Sequence, residues 1–382
     1  MVSVCGTAGT AAAMAGGAAV AHVHGYRNHR ANSFMQAWIV GIWLFLFFII
    51  APIVSHADLM TNATVGNLTS PVDTNILLEH RLYDVVWGNG LFVAVGQSGF
   101  DETEVLLSPD GVAWERVSLG KPARPLGVSG DGVGALYGIT WNGSVFVAVG
   151  ERILTSTDGK SWTVVATFSP CSFSRVQARG SMFVAVGDDR GRGCLATSTD
   201  GEKWTDQTAA LESNNAVLTS VFSTDSGFLV IGNANLGRFG LSSIFLTSST
   251  GKSWSHQPGP QDFLVDVTGN GSEFVAVGGL THKGVVLVSP DAQEWTPSSA
   301  NLQKPLRAVI WNGALFVAVG ARGAIVTSAD SKTWTERPSG VMQDLLGVAW
   351  NGRTFVSVGE GAILTSPDGM HWQEPRGMRS VH

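Results

Sequence analysis

Residues that could support acid–base chemistry are few and scattered in this chain. Adjacent carboxylates occur at Asp101–Glu102 and Asp188–Asp189. Hydrolysis of a glycosidic bond needs two carboxylates about 5–9.5 Å apart, a separation that sequence proximity does not establish. Neighbouring acids in a loop are more often solvated surface groups than a catalytic pair. These residues alone therefore do not predict an enzyme.

Metal, nucleotide and nucleic-acid signatures are missing from the sequence. Its isolated histidines include His80, His256, His282 and His371, and there is no His-Glu-x-x-His segment, clustered Cys/His set or phosphate-binding glycine loop. The net charge is -6, with no basic stripe of the kind that binds nucleic acid. We predict no cofactor, no metal and no nucleic-acid partner.

Two short motifs recur seven times and define the organisation of the chain. The first, of the form Phe-Val-Ala-Val-Gly, occupies 91–96, 145–150, 182–187, 228–232, 274–278, 315–320 and 355–359. The second, of the form Ser-x-Asp-Gly-x-x-Trp, places its aspartates at Asp110, Asp158, Asp200, Asp291, Asp330 and Asp368, and its tryptophans at Trp114, Trp162, Trp204, Trp254, Trp295, Trp334 and Trp372. Successive tryptophans are 38–50 residues apart, which is the length of one propeller blade.

One repeat unit, residues 305–337, divides into four short strands. The alternating segment 306–311 suits a strand with one buried face, and 315–319 is a continuous apolar run typical of a strand buried on both faces. Between them, Asn312-Gly313 predicts a type I′ hairpin turn with positive φ at both residues. A third strand at 324–328 and a fourth beginning near Trp334 complete the unit.

These units predict an all-β fold, a seven-bladed β-propeller of four-stranded antiparallel blades, because a single blade cannot bury both of its faces. We place the propeller at residues 78–376, with first strands at the axis and the tryptophan-bearing fourth strands outside. Residues 58–77 form a lead-in that could add an outer strand to the ring, and 377–382 form a tail.

The N-terminus carries an export signal or membrane anchor, which precedes the propeller as a helix. Residues 1–34 are a low-complexity extension, and 35–57 contain the apolar run 38–54 followed by Ser55-His56-Ala57, a suitable cleavage site. Cleavage and retention both remain open. We predict a periplasmic or secreted protein, in which an oxidising compartment would allow Cys171 and Cys194 to pair.

The second motif resembles the Asp-box, or BNR repeat, of sialidases and bacterial surface propellers. The whole repeat is similar to the Asp-box propellers of the photosystem II assembly-factor type over residues 82–374. The motif here is one residue shorter, and Thr250, Ala292 and Ser331 replace its usual Asp or Gly. Such variation favours a structural turn. Tyr83 and Tyr137 are the only tyrosines of the propeller, which argues against a sialidase site.

Binding residues are expected on the rim where second and third strands join, because those loops vary in length over a rigid scaffold. They are longer at 97–104, 188–193, 233–243 and 279–284. The candidate partner-binding residues are Asp188, Asp189, Arg190, Arg192, Asn235, Arg238, Phe239, His282 and Lys283. We favour a non-catalytic, extracytoplasmic protein-binding or assembly scaffold. A carbohydrate-binding protein or Asp-box glycoside hydrolase is the alternative, so the partner is an unknown protein or a glycan.

Overall fold

A computed structural model describes residues 80–99, 102–119, 134–211, 215–235 and 240–375, all within one unit, Ala57–His382. The predicted extension, signal or anchor, lead-in and tail lie outside the described residues. The described residues form seven antiparallel sheets in consecutive order along the chain. Six sheets have four strands, and the seventh has three strands plus a bridge between Thr365 and Gln373 where a fourth would stand. The predicted fold class is confirmed.

The strands are numbered here in chain order. Those of blades one to four, β1 to β16, are His80–Gly88, Leu91–Ser98, Glu102–Ser108, Glu115–Arg116, Leu136–Trp141, Phe146–Gly150, Arg152–Ser156, Thr163–Thr167, Ser172–Arg179, Met182–Asp189, Arg192–Ser198, Trp204–Asp206, Ala216–Thr224, Gly227–Asn235, Leu241–Ser248 and Ser255–Pro258. Those of blades five to seven, β17 to β27, are Leu264–Gly269, Phe274–Leu280, Lys283–Ser289, Thr296–Pro297, Leu306–Trp311, Phe316–Gly320, Ala324–Ser328, Thr335–Glu336, Leu345–Trp350, Phe355–Gly359 and Ile363–Ser366.

The first strands of the blades form a closed inner ring. Each of β1, β5, β9, β13, β17, β21 and β25 contacts the first strands of both neighbouring blades. The ring closes where β1 meets blade seven, through a backbone bridge between Arg81 and Glu360 and a bond from the Gly361 amide to the His80 carbonyl, 2.8 Å. The propeller is therefore circular, as the repeat predicts.

Seven apolar clusters fill the seven junctions between blades. Along the second strand of blade one, Phe92 and Ala94 pack towards blade seven, whereas Val93 and Val95 pack towards blade two. Each motif tryptophan joins the cluster shared with the preceding blade, as Trp162 does with β2 and β3. Burying one large apolar side chain contributes about 1.5–3 kcal/mol, so the repeated motifs supply most of the cohesion between blades.

A β-bulge interrupts the first strand of every blade at the same position. In β1 it falls between Leu82 and Asp84, so that Tyr83 is the extra residue. The glycine that ends the Phe-Val-Ala-Val-Gly motif lies opposite the bulge, where the neighbouring chain comes very close. A Cβ atom on Gly320 would lie 2.2 Å from the carbonyl oxygen of Pro305. This close approach explains why the repeat keeps glycine there in all seven copies.

The Asn-Gly turns differ from the predicted type I′ geometry in four of five cases. Only Asn89 has a positive φ, 50°, and only that hairpin has a two-residue turn. At Asn142, Asn270, Asn312 and Asn351, the side-chain oxygen instead accepts two backbone N–H groups further along a four-residue turn, as in the 2.9 and 2.7 Å bonds of Asn312. The prediction was wrong there because an asparagine side chain can close a turn without positive φ at that residue.

The Ser-x-Asp-Gly-x-x-Trp segment folds into a turn closed by its own side chains. The Asp158 carboxylate accepts the N–H groups of Lys160 and Ser161 at 2.8 and 2.7 Å, and Ser156 Oγ accepts that of Gly159 at 2.8 Å. The Trp162 indole N–H donates to the Gly159 carbonyl at 2.7 Å. The segment thus fixes the indole that fills the junction between blades.

Departures from this motif go with a lost tryptophan hydrogen bond in blades four and five, whereas in blade six Trp334 still donates to the Ser331 carbonyl at 2.8 Å. In blade four, Thr250 replaces the aspartate, and in blade five Ala292 adopts a φ of 60° where the motif usually has glycine. The indole nitrogens of Trp254 and Trp295 are buried and have no hydrogen-bond partner among the described residues. Trp295 instead stacks flat on Phe245, with ring centroids 4.3 Å apart.

The turn aspartates make part of the stability depend on acid pH. Backbone N–H groups of Thr333 and Lys332 lower the pKa of Asp330 to about 2. Because a lowered native pKa favours folding only while the carboxylate is ionised, its contribution is present above about pH 4 and is lost as the pH falls towards about 2.

Exchanging the turn residue should therefore change the melting temperature with a predictable sign. We expect Asp330→Asn to lower the melting temperature by about 1–2 °C at pH 7, and by much less at pH 2, where about half of the carboxylate is protonated. Thr250→Asp, which introduces the missing carboxylate in blade four, should do the reverse. Calorimetry at both pH values measures the two changes, and equal shifts at pH 7 and pH 2 would contradict this origin.

Candidate functional site: the upper face and the axial opening

The upper face is defined here as the side that carries the turns between second and third strands and the segments that cross from one blade to the next. These two sets of segments are bonded together, as in the 2.8 Å bond from the Gly323 amide to the Gln343 carbonyl. The opposite, lower face carries the Asn-Gly turns and the Ser/Asp turns.

The segments predicted as long loops are instead taller hairpins. In blade one, β2 and β3 remain paired up to Ser98 and Glu102, and in blade five β18 and β19 remain paired up to Leu280 and Lys283. In blades two, six and seven the second strand ends at its motif glycine. The upper face is therefore raised over blades one, three, four and five, and lower over the other three.

Four of the predicted site residues lie together on the blade-three hairpin. Asp188 and Asp189 end β10, Arg192 begins β11, and Arg190 occupies the two-residue turn with a φ of 49°. The second oxygen of Asp188, Oδ2, accepts the Gly191 N–H at 2.9 Å. Burial raises the pKa of Asp188, and the Gly191 N–H offsets part of that rise.

The remaining predicted residues lie one or two blades away or outside the described ranges. His282 sits in the turn of the blade-five hairpin, and Lys283 begins its third strand. Asn235 ends β14, while Arg238 and Phe239 fall outside the described residues. Among the described residues, no hydrogen bond or ion pair joins the blade-three set to His282 or Lys283. They share a face without forming one bonded cluster.

The β-bulges place one extra residue per blade near the axial end of the upper face. We call these residues the bulge ring; its members are Tyr83, Tyr137, Ser174, Thr219, Val265, Arg307 and Leu346. The leucine or phenylalanine before each of them and the valine or isoleucine two residues after it repeat closely. The ring positions themselves differ in size, polarity and charge, and bulges commonly re-aim side chains near functional sites.

Two tyrosines of the bulge ring lie side by side. The ring centroids of Tyr83 and Tyr137 are 4.9 Å apart and the planes are tilted by 59°. Burial raises the pKa of both phenols, and Glu151 and Asp188 raise that of Tyr137 further. Both phenols are therefore neutral donors and acceptors at neutral pH, beside the exposed Glu151 and the half-buried Asp188.

Arg307 is the cation of the bulge ring. It is half-buried, and within the described residues it forms no ion pair or hydrogen bond. Burial lowers its pKa, although Asp344 and Glu360 partly offset the effect. Both acids have other partners, since Asp344 accepts the Arg322 N–H at 2.8 Å and Glu360 pairs with Arg81 at 3.3 Å. Arg307 thus feels the charge of both acids without a direct bond to either in the described residues, and its guanidinium favours carboxylate or phosphate oxygens.

A charged network crosses the axis beside the bulge ring. Arg175 of blade three pairs with Asp84 of blade one at 3.0 Å, and Asp84 also accepts the Ile139 N–H of blade two. Asp266 accepts Ser220 Oγ–H at 2.6 Å and the Val309 N–H at 2.9 Å, and its charge also acts on Arg175.

This axial network links six blades through charged and hydrogen-bonded side chains near the axis. Arg175 and Asp84 are only 14% and 15% exposed. Burial raises the pKa of Asp84, and Arg175 offsets part of the rise. Sequence reasoning missed this network. Aligning the repeats on their first strands would have singled out its residues, because Asp84, Arg175, Ser220 and Asp266 occupy the same position in four different units.

Metal-binding clusters are missing from the part of the chain that the structure describes. There, no three His, Cys, Asp or Glu side chains converge so that they could hold a metal ion. Helices of membrane-spanning length and apolarity are likewise missing from the described ranges.

Comparison with solved structures supports the architecture. The chain is similar to YCF48 bound to a D1 peptide, with a TM-score of 0.55 and 16% identity over 79% of this chain and 96% of that one. It is similar to the WD40 propeller of Doa1, with a TM-score of 0.54 and 10% identity over 78% and 95%. A third likeness is the extracellular domain of BT4673 from B. thetaiotaomicron, with a TM-score of 0.53 and 11% identity over 75% of this chain and 38% of that one.

These identities establish the fold alone: the chain is a seven-bladed β-propeller. No protein-family model and no curated protein matches its sequence.

Proposed function

We propose that this propeller is an exported, non-catalytic binding or assembly scaffold that takes a segment of another protein on its upper face, over the axial opening. The observation that carries the proposal is the contrast within the bulge ring. Seven equivalent positions hold six different residue types, while the packing positions that flank them repeat. Loops and bulges over a rigid scaffold are where proteins place binding residues.

The chemistry of the axial opening fits a polypeptide segment. Tyr83 and Tyr137 offer aromatic area with hydroxyl groups, and Arg307 offers a half-buried cation that makes no hydrogen bond or ion pair within the described residues. Tyrosine and arginine are enriched where proteins bind one another. The structure of YCF48 with a D1 peptide supports the idea that a propeller of this shape can bind a peptide.

Position-specific photo-crosslinking in the source cells tests this proposal. A photoreactive residue in place of Leu346, in the bulge ring, should give a discrete protein adduct that is weakened by Arg307→Ala. The matched control carries the same residue in place of Ser144, which is exposed on the lower face. No adduct from Leu346, or equal adducts from both positions, would overturn the proposal.

A carbohydrate-binding or glycoside-hydrolase role is the second candidate, and the neighbouring tyrosines beside carboxylates favour it. Aromatic rings flanked by polar groups suit sugar rings as well as peptides. A glycan array and a panel of fluorogenic glycosides test it, with Tyr137→Ala as the control variant. Saturable glycan binding or turnover that Tyr137→Ala removes would favour this candidate over the peptide-binding proposal.

Export and the relation to Asp-box propellers belong to the same proposal. The apolar run 38–54 supports export, and so does the disulfide between Cys171 and Cys194, because disulfides persist in oxidising compartments. The self-closed Ser/Asp turns support the Asp-box relation. Mass spectrometry of the mature N-terminus, with protease accessibility in spheroplasts, tests export, and a protein protected in the cytoplasm would exclude it.

A further inference from the structure

The disulfide between Cys171 and Cys194 spans one strand of blade three. Cys171 lies in the crossing segment just before β9, Cys194 lies in β11, and β10 runs between those two strands. Gly187 of β10 is the residue opposite both Phe173 and Cys194. The bond, with a Cα–Cα distance of 6.1 Å, therefore ties together the two flanks of the strand that rises into the blade-three hairpin.

This hairpin begins next to the disulfide, and its charged residues lie on the upper face. Asp188 pairs with Ser172, the residue after Cys171, and with Gly193, the residue before Cys194. Beyond that level the hairpin holds only Asp189, Arg190, Gly191 and Arg192. The covalent link is thus made at the base of the hairpin, where it fixes the crossing segment and the third strand relative to one another.

We propose that the Cys171–Cys194 disulfide is a redox-sensitive clamp, whose reduction loosens the blade-three hairpin and its crossing segment while the propeller stays folded. Any effect of the clamp on partner binding rests on the proposed function, since the clamp would regulate that same upper face. The rest of blade three has other means of cohesion. Phe173, Phe183 and Ala185 are buried in the junction with blade two, and β9 to β12 keep their backbone pairing.

The two cysteines differ in solvent exposure, which decides which sulfur atom is attacked in thiol–disulfide exchange. Cys171 is half-buried, whereas Cys194 is only 2% exposed. A dithiol reductant would attack Cys171 Sγ as a thiolate, forming a mixed disulfide while Cys194 leaves as a thiolate and takes up a proton. The reductant's second thiol then displaces Cys171 as a thiol. In balance, the clamp gains two electrons and two protons, and the dithiol becomes a disulfide.

Hydrogen exchange measured by mass spectrometry tests the clamp without any binding partner. The oxidised protein, the protein reduced by a phosphine, and the double variant Cys171→Ala/Cys194→Ala are compared over residues 168–173 and 186–194. We expect exchange there to rise about tenfold or more on reduction and in the variant, and to return on reoxidation. The blade-five hairpin, 278–285, is the matched control, since it has the same two-residue turn without a disulfide.

Unchanged exchange in the blade-three hairpin, or an equal rise in every blade, would overturn the clamp. A monothiol version of the dithiol reductant should be trapped on Cys171, and trapping on Cys194 would refute the direction of attack. The photo-crosslinking experiment, repeated with reduced protein, should give less adduct than with oxidised protein. Absence of any adduct with oxidised protein counts against the proposed function, whereas unchanged hydrogen exchange counts against the clamp.

Discussion

Replacing Arg175 with methionine is expected to destabilise the propeller by about 3–5 kcal/mol, because it leaves the carboxylates of the axial network without their buried cation. Asp84 loses its 3.0 Å ion pair, and Asp266 loses the positive charge that acts on it. Both carboxylates remain where water is scarce. Chemical denaturation monitored by tryptophan fluorescence measures the loss.

Two further variants separate the charge effect from the loss of a side chain. Arg190→Met removes the same group from the exposed turn of the blade-three hairpin and should change stability by less than about 0.5 kcal/mol. Adding Asp84→Asn to Arg175→Met should recover part of the loss, because the asparagine can still accept the Ile139 N–H without carrying charge. If Arg175→Met costs no more than Arg190→Met, the axial network does not stabilise the ring as described.

Replacing Gly320 with alanine is expected to destabilise the propeller by about 3 kcal/mol. The added Cβ would lie 2.2 Å from the Pro305 carbonyl oxygen and 2.7 Å from the Leu306 Cα, both of them backbone atoms that cannot rotate away. Gly320 has an extended backbone, with φ of -175°, so the cost comes from this overlap and not from a left-handed conformation.

The control for this substitution is Gly313→Ala on the lower face. Gly313 has a φ of 100°, and a Cβ atom added there would meet no atom of the described residues beyond its chain neighbours within 4 Å. Only backbone strain of about 1–2 kcal/mol is therefore expected. Thermal and chemical unfolding of both variants gives the comparison. If both substitutions lower the free energy of unfolding equally, the backbone opposite the bulge moves aside easily.

The sequence predicts blade number and blade packing well because both depend on side chains that repeat. Phe92 and Val93 face opposite junctions in the same alternation as Phe316 and Val317, so one unit describes all the others. The hairpins over blades one, three, four and five were harder to foresee. Polar residues such as Gln97 and Thr103 look like a loop in sequence, but backbone pairing extends through them on the upper face.

The axial network could not be read from any single repeat. Asp84 and Arg175 stand in different units, and each lies in a half-apolar strand that also carries an arginine, Arg81 in β1 and Arg179 in β9. Their partnership follows only from the circular closure, which brings first strands together across the axis. The same holds for Tyr83 and Tyr137, whose contact depends on a bulge that alternating hydrophobicity does not reveal.

The bulge gives each blade one residue whose side chain is not part of the apolar clusters that pack the blades together. Leu82 and Val85 secure the strand on either side of it, and the side chain at position 83 lies outside the apolar cluster between blades seven and one, with Tyr137 of blade two as its ring contact. The equivalent position in each blade is thus open to diversification. Thr219 is the exception, because it is buried and its hydroxyl donates to the Leu264 carbonyl of blade five at 3.1 Å. A combinatorial library over the other six positions should keep most of the melting temperature while changing what the protein recognises. Such a scaffold could acquire a new specificity by point substitution, without redesign of its architecture.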